Sequence, residues 1–393
     1  MIEEPFNKEI FDFIKANAST DPYALSLQLK HFRPELRKRI AEQIQSRQKL
    51  LQKVPEWLEY EELILPGPVS IEQASSSKTA LYKSELLQRG VLMDLTGGLG
   101  VDTYYFSGRM EKVVYIEKER DLADTAAHNF ALMGLNNVEV HCGLAEETLR
   151  NWTTPLDFIY ADPSRRTRTG KIFKLEESEP NLIGMQDDLL QIAGRIIIKA
   201  SPFLDIQHAM RQVKNIMEIH VIAVDHECKE ILLVLDRQSR EADPSIITVH
   251  LSGDTLQRYV SSFKKENNSA CKKAVSGPFI YDPNPAIRKA GLFRSICQDF
   301  KIRKPADNSH IFFGDALLDN FPGRIFELMD IVPYNKFMKK CPYSQANIAT
   351  RNFPLSVDGI RKKTGILEGG DIFIFGTTDQ NKQNFFIICH KVR

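Results

Sequence analysis

Between residue 91 and about residue 236, short apolar runs alternate with amphipathic stretches. Val91 to Leu95, Val113 to Ile116, Val138 to Val140, Asp157 to Ala161 and Arg195 to Lys199 read as strands. The intervening 102–109, 120–133, 181–193 and 205–217 read as helices. Ile219 to Val224 and Ile231 to Leu235 then form a hairpin about Glu227 to Glu230. This alternation predicts an α/β domain, a parallel sheet covered by helices on both faces. A closing hairpin in place of a sixth strand-helix unit makes seven strands and turns the last one antiparallel.

The flanks have other periods. Phe6, Ile10, Phe13 and Ile14 fall at helical spacing, and Asp21-Pro22 supplies an N-cap followed by proline at the first helical position. Pro34 to about Val54 reads as one long amphipathic helix with Leu36, Ile40, Ile44 and Leu51 on its apolar side. Arg33, Arg37, Lys38, Arg39, Arg47 and Lys49 lie among the rest, either a solvated face or a nucleic-acid contact. Pro66-Gly-Pro68 marks a linker, and Ser70 to Lys78 enters a short helix ending near Gln88. Beyond residue 250 short strands and helices mix: His310 to Phe313 and Ile325 to Met329 as strands, Ser356 to Lys363 as a basic helix, and Asp371 to Thr377 with Asn384 to Val392 as a hairpin. Phe312, Phe313, Phe373, Phe375, Phe385 and Phe386 are expected in the core of this α+β region. The expected divisions are an N-terminal helical region at 1–68, the sheet domain at 69–240, and α+β modules at 241–320 and 321–393.

Composition changes this picture in two places. Among 393 residues, 42% hydrophobic and 26% charged are ordinary for a folded protein, and no apolar run approaches the roughly 18 residues of a membrane span. Without a basic start or an apolar h-region at the N-terminus, a cytoplasmic location is expected. The six cysteines form no Cys-x-x-Cys pair, so reduced thiols and no metal site are expected. The net charge of +1 conceals an asymmetry: residues 250–393 hold 22 Lys+Arg against 13 Asp+Glu, and residues 1–249 hold 30 against 38. A basic C-terminal third suits either a polyanion such as nucleic acid or a solvated surface. Arg351, Arg361, Lys362 and Lys363 are the candidates there for phosphate contact.

The chemistry centres on Asp94-Leu-Thr-Gly-Gly-Leu-Gly-Val-Asp102, where Gly97, Gly98 and Gly100 follow an apolar strand. Glycine at such a turn admits close approach of a ligand. A dinucleotide fingerprint read from Gly98 through Gly100 meets Thr103 where glycine or alanine is required. A Walker loop needs a lysine, and none lies between residues 90 and 111. The flanking acids Asp94 and Asp102 suit a cofactor with a cationic amino-acid end better than a pyrophosphate, which carboxylates repel.

In parallel sheets ligands sit beyond the carboxyl ends of the strands, so Asp94, Glu117 and Asp162 are expected to face one crevice. Glu117 ends the second strand, a placement that lets a carboxylate accept both hydroxyls of a ribose. His141-Cys-Gly-Leu-Ala145 lies where an adenine ring could be sandwiched, and Gln73 could reach the cofactor from the entering helix. Asp162-Pro163-Ser-Arg165-Arg166 ends the fourth strand: its carboxylate can accept a hydrogen bond from an amine, and its arginines can hold a phosphate or a carboxylate.

Glycine loop, acidic end of strand two, Asp-Pro at strand four and terminal hairpin fall in the order of class I S-adenosylmethionine-dependent methyltransferases, which residues 91–236 resemble. Ala127-His-Asn129 through Met133-Gly-Leu-Asn-Asn-Val138 resembles bacterial RNA methyltransferases. The Glu72-Gln73-Ala-Ser-Ser entry, Tyr281-Asp-Pro-Asn-Pro-Ala-Ile-Arg288, and Arg351-Asn-Phe-Pro354 to Gly369-Gly370 resemble an uncharacterised bacterial group with C-terminal ferredoxin-like and THUMP-like modules. The resemblance implies a seven-stranded Rossmann-like methyltransferase sheet and S-adenosyl-L-methionine as cofactor. Its methionyl end would be held by Asp94, Thr96, Gly97, Gly98, Gly100 and Asp102, its ribose by Glu117 with Lys118, and its adenine near Leu144 and Ala145. Asp162, Pro163, Arg165 and Arg166 would form the substrate side, facing an rRNA or tRNA base. Two positions depart from the family: Leu144 stands where an acid often contacts the adenine amine, and Arg165 stands at the fourth position, where nitrogen methyltransferases reading Asp-Pro-Pro carry an aromatic ring that stacks on the target base. Phe173 or Phe203 could supply such a ring. The alternatives are a catalytically inactive methyltransferase fold that binds RNA, or methylation of a protein or small molecule.

Overall fold

In the computed structural model the described residues are 6–21, 24, 25, 29, 32–165, 175–240 and 242–392. They divide into two compact units, residues 1–216 with 233–240 and residues 217–232 with 241–393. Among the described residues no helix is long and apolar enough to cross a membrane.

The strands of the large sheet are β1 (Val91–Asp94), β2 (Lys112–Glu117), β3 (Val138–Cys142) and β4 (Leu156–Ala161). After the small ribbon β5 (Ser164–Arg165) and β6 (Ser178–Glu179) come β7 (Ala193–Ala200), β8 (Ile216–Val224), β9 (Glu227–Asp236), β10 (Ser245–Ser252) and β11 (Thr255–Ser261). The order is β11-β10-β8-β9-β7-β4-β1-β2-β3. β1 pairs in parallel with both β2 and β4, so the chain reverses its direction of winding between β1 and β4 and opens the crevice there. β1 and β2 are almost wholly buried, as expected for strands covered on both faces. β8 and β9 are joined across only Asp225 and His226, which requires them to run antiparallel.

The expected seven strands are therefore β1 to β4 and β7 to β9, and two more extend the sheet. β10 pairs in parallel with β8, and β11 pairs antiparallel with β10. An edge at β8 would have left its ladder groups unpaired. Residues 245–261 thus continue the sheet past the boundary expected at 240, because the alternation in Ser245–Ser252 looks locally like that of any half-buried strand. The helix expected at 205–217 is shorter, Ile206–Gln212, since Ile216 already begins β8.

The N-terminal segment is helical over Lys8–Ala16 and Pro34–Leu50, and Asp21 Oδ1 accepts from Ala24 N–H at 3.2 Å; Pro22 lies outside the described residues. The basic face expected on the long helix is partly turned inward. Arg47 is buried, donating to the Leu63 carbonyl at 2.5 Å and to Gln43 Oε1 at 2.7 Å, and burial lowers its pKa to about 10.

In the second unit a six-stranded sheet holds β12 (Phe279–Pro283), β13 (Phe312–Gly314), β14 (Gly323–Pro333), β15 (Asn347–Arg351), β16 (Ile372–Thr378) and β17 (Asn384–Lys391), in the order β13-β12-β14-β17-β16-β15. Of the six phenylalanines expected in its core, Phe312, Phe313, Phe375, Phe385 and Phe386 are buried and Phe373 packs partly buried against them. One expectation is corrected: Cys271 and Cys297 form a disulfide, Cα–Cα 5.5 Å. A separation of 26 residues hides the pair, which the helix Phe293–Asp299 brings together when Gln298 Oε1 accepts from Ala270 N–H.

Candidate functional site

A cavity of about 330 Å³ lies at the carboxyl ends of β1, β2, β3 and β4. Asp94, Thr96, Gly97, Gly98, Gly100, Asp102, Glu117, Lys118, Leu144, Ala145 and Asp162 all line it, and Gln73 reaches it from the helix Pro68–Gln73. Pro163 is buried and lies outside the lining, which takes Ser164 instead. Arg165 belongs to β5, paired with Ser178 of β6. Arg166 and Phe173 lie outside the described residues.

The glycines are required by their neighbours. A Cβ on Gly97 would stand 2.2 Å from the Tyr115 ring, whose hydroxyl donates to the Gly98 carbonyl at 2.7 Å. Gly98 has φ +59°, and a Cβ there would meet nothing nearer than the Thr96 carbonyl at 3.7 Å, so it would protrude into the cavity. Glu117 is tied to this loop: Oε2 accepts from Gly98 N–H at 2.8 Å and Oε1 from Glu119 N–H at 2.9 Å. Each oxygen keeps a second lone pair, which is what acceptance from two vicinal hydroxyls needs. Lys118 is engaged with Glu179 at 3.0 Å. Leu144, 43% exposed, precedes the helix Ala145–Arg150 and leaves an apolar rim.

The two acids of the loop, Asp94 and Asp102, have different surroundings. Asp94 is buried, accepts from Thr96 N–H at 3.0 Å and from the Thr103 hydroxyl at 2.7 Å, and burial pushes its pKa up to about 7. Asp102 has no spare charge. Lys83, fully buried, lies 3.0 Å from its Oδ1, while Oδ2 accepts from Tyr160 at 2.7 Å and from Ser75 at 2.8 Å. Burial works to raise Asp102, but Lys83 and then Lys199 outweigh it and hold it below the ordinary carboxylate range. Lys199 in turn donates to Asp162 Oδ2 at 2.5 Å and to Ser75 Oγ at 3.2 Å, and Lys83 donates to Ser75 Oγ at 2.8 Å. Asp162 is positioned from the loop, its N–H donating to Thr96 Oγ1 at 2.6 Å.

Sequence reasoning missed Lys83, Ser75, Tyr160 and Lys199. Lys83 sits in the short helix Ser77–Glu85 and Lys199 in β7, where lysine ordinarily reads as surface. The one available signal was Lys199 as the last charge of an otherwise apolar run beside an Asp-terminated strand.

The basic candidates in the second unit also differ among themselves. Arg361 donates to the Ile366 and Ala346 carbonyls at 3.0 and 3.2 Å and so serves the fold. Lys362 and Lys363 are exposed. Arg351 contacts buried Asp282 at 2.9 Å.

With this geometry the chain can be set beside known proteins. A family profile described as a ferredoxin-like domain matches residues 279–322, and one described as THUMP domain-like matches residues 323–391. The structure of a candidate methyltransferase from Porphyromonas gingivalis W83 is 29% identical, covering 99% of this chain and 100% of its own, with a TM-score of 0.90. An rRNA methylase from Streptococcus thermophilus covers 40% of this chain and 93% of its own at 14% identity and a TM-score of 0.30. A candidate methyltransferase from Streptococcus mutans in complex with SAH covers 40% and 95% at 13% identity and the same TM-score, 0.30. No curated protein matches the sequence. The chain therefore has the class I methyltransferase fold, with ferredoxin-like and THUMP-like modules after it.

Proposed function

We propose that the protein transfers a methyl group from S-adenosylmethionine to a base of an RNA, ribosomal or transfer. The observation that carries this reading is that the glycine loop, Glu117 and Asp162 line one cavity at the reversal point of a class I methyltransferase sheet. The residues fit the cofactor: Gly98 leaves room that any side chain would fill, and Glu117 keeps the lone pairs a ribose needs. Asp94, Thr96 and Gly97 to Gly100 would hold the methionyl end, Glu117 and Lys118 the ribose side, and Leu144 and Ala145 the adenine side, with Gln73 closing the site. Asp102 would act through its pair with Lys83, fixing the helix Val101–Ser107 that follows the loop.

When bound, S-adenosylmethionine supplies an electrophilic methyl group on a good leaving group, so this chain's task is alignment more than acid-base work. Asp162 would accept a hydrogen bond from the target atom through the lone pairs its contact with Lys199 leaves unused. Arg165 and Arg166 would stand on the substrate side. The THUMP-like match and the basic C-terminal third support RNA as the acceptor, and a cytoplasmic site of action follows from that substrate.

Titration calorimetry with S-adenosylhomocysteine tests the cofactor: binding to native protein and its loss in Glu117→Ala are expected, and no binding to either would sink the reading. Tritiated-methyl transfer to total RNA from a strain lacking the gene tests the acceptor. One observation favours an inactive RNA-binding relative: Lys199 already occupies Asp162. Cofactor binding without transfer to any RNA would select that alternative.

A further inference from the structure

Asp282, the last residue but one of β12, has its side chain 0% exposed, and three arginines converge on its carboxylate. Arg351 Nη2 lies 2.9 Å from Oδ1 and 3.3 Å from Oδ2. Arg324 donates to Oδ2 from Nη2 at 2.6 Å and from Nε at 3.2 Å. Arg288 Nη1 lies 3.4 Å from Oδ1 and donates to the Pro283 carbonyl at 2.7 Å. One negative charge thus faces three permanent positive ones, a local surplus of two.

A structural ion pair needs one arginine, and each further guanidinium brought beside the first adds repulsion. Burial, and then Arg351 and Arg324, oppose the charge on Arg288, with Asp282 as the opposing attraction. The surplus is also accessible. The Arg288, Arg324 and Arg351 side chains are 30%, 39% and 19% exposed over a carboxylate that is not. Donors remain as well. Each guanidinium carries five N–H groups, and the buried Nε of Arg351 has no acceptor among the described residues. The Arg324 guanidinium lies 5.5 and 6.0 Å from the ring centroids of Phe326 and Phe373, within cation–π range of both.

The sources of these groups reinforce the point. Asp282 and Arg288 belong to the ferredoxin-like segment, and Arg324 and Arg351 to the THUMP-like one. Arg351 ends β15, four places from β12 in the strand order, yet reaches the same carboxylate. Two strands and the helix Pro285–Ala290, which carries Arg288, thus bring three cations to one carboxylate.

We propose that Arg288, Arg324 and Arg351, arranged over Asp282, form a binding site for a phosphate group, supplied by the backbone of a bound RNA. A tetrahedral oxyanion accepts paired N–H bonds from several guanidinium forks at once and cancels the surplus charge. The anion site stands on this cluster alone; RNA as its source rests on the reading of the protein as an RNA methyltransferase.

The test uses the full chain and the variants Arg288→Gln, Arg324→Gln, Arg351→Gln and Arg288→Lys. Inorganic phosphate, compared with chloride at equal ionic strength, is expected to raise the unfolding temperature of the native protein. Each Arg→Gln change should weaken phosphate binding about 10-fold, with Arg288→Lys in between. Binding of a single-stranded oligoribonucleotide lacking terminal phosphates should lose up to about 0.7 of its logarithmic salt slope, the share of one phosphate, when the site is disabled by an Arg→Gln change. Phosphate acting no differently from chloride, or Arg→Gln variants binding it like the native protein, would overturn the site. Phosphate binding with an unchanged oligoribonucleotide salt slope would overturn the RNA backbone as its source and point to a small phosphorylated molecule. Should Arg351→Gln fail to fold, Arg288→Gln carries the test, since its contact is the longest. S-adenosylhomocysteine binding, measured on the same variants, should be unaffected; its absence from native protein would remove the methyl-transfer reading and leave the phosphate result standing.

Discussion

Two aspartates, Asp102 with its side chain 12% exposed and Asp282 with its side chain 0% exposed, answer the cost of burial in opposite ways. Asp102 sits among hydroxyls, with Lys83 3.0 Å away and Lys199, shared with Asp162, as a second cation. Asp282 is overmatched, one carboxylate to three guanidinia. The first arrangement is electrically closed and serves as a wall. The second holds unspent charge at a partly exposed place and serves as a receptor. Burial alone does not tell structure from recognition; the local balance of charge does.

That contrast is most severely strained by removing one partner from the closed pair. Lys83→Met should destabilise the protein by about 3–5 kcal/mol in urea unfolding, because Asp102 would lose the fully buried partner 3.0 Å from it and keep only the weaker attraction of Lys199. Adding Asp102→Asn should recover most of the loss, and a cost below about 1 kcal/mol for the single change would mean the pair is not dry. The open cluster should respond less and differently. Asp282→Asn is expected to cost about 2–4 kcal/mol at low salt, since the partly exposed guanidinia can turn to water, and phosphate should restore stability to this variant more than to the native protein.

The cofactor cavity provides smaller effects. Glu117→Ala should weaken S-adenosylhomocysteine binding by about 1.5–3 kcal/mol, the range for hydrogen bonds to a charged group, and should also lower the unfolding midpoint, because the Gly98 and Glu119 N–H groups lose their acceptor. Asp94 gives a pH signature. Burial raises it from 3.8 to about 7, so its contribution to stability is full below pH 3.8 and is lost as pH rises through about 7. Binding of a cationic amino group runs the other way, because it needs the carboxylate ionised. S-adenosylhomocysteine affinity should therefore fall by up to about tenfold per pH unit below pH 7, with proton release on binding. Asp94→Asn should flatten both profiles, and an unchanged affinity profile would detach Asp94 from the cationic end.

Much of the sheet domain was legible because parallel strands buried on both faces write themselves as apolar runs. β1, β2, β4 and β7 lie within a residue or two of where Val91, Val113, Asp157 and Arg195 suggested. The glycine loop, Glu117 and Asp162 were readable for the same reason: each stands at the end of such a run. β10 and β11 were not, since nothing in Ser245–Ser252 says which edge it will extend. Arg47 and Arg361 were misread as surface cations because a long amphipathic side chain looks the same in sequence whether its head meets water or a backbone carbonyl.

The order of strands and helices, the turn that admits a cofactor and the acids that face it were set by local pattern, where period and residue type act over a few positions. Which of those acids carries free charge was decided by folding. Tyr160 reaches Asp102 across 58 residues, Lys199 reaches Asp162 across 37, and Arg351 reaches Asp282 across 69. An ionisable group's state depends on the charges within a few ångströms of it, and at those separations only the tertiary structure determines what they are.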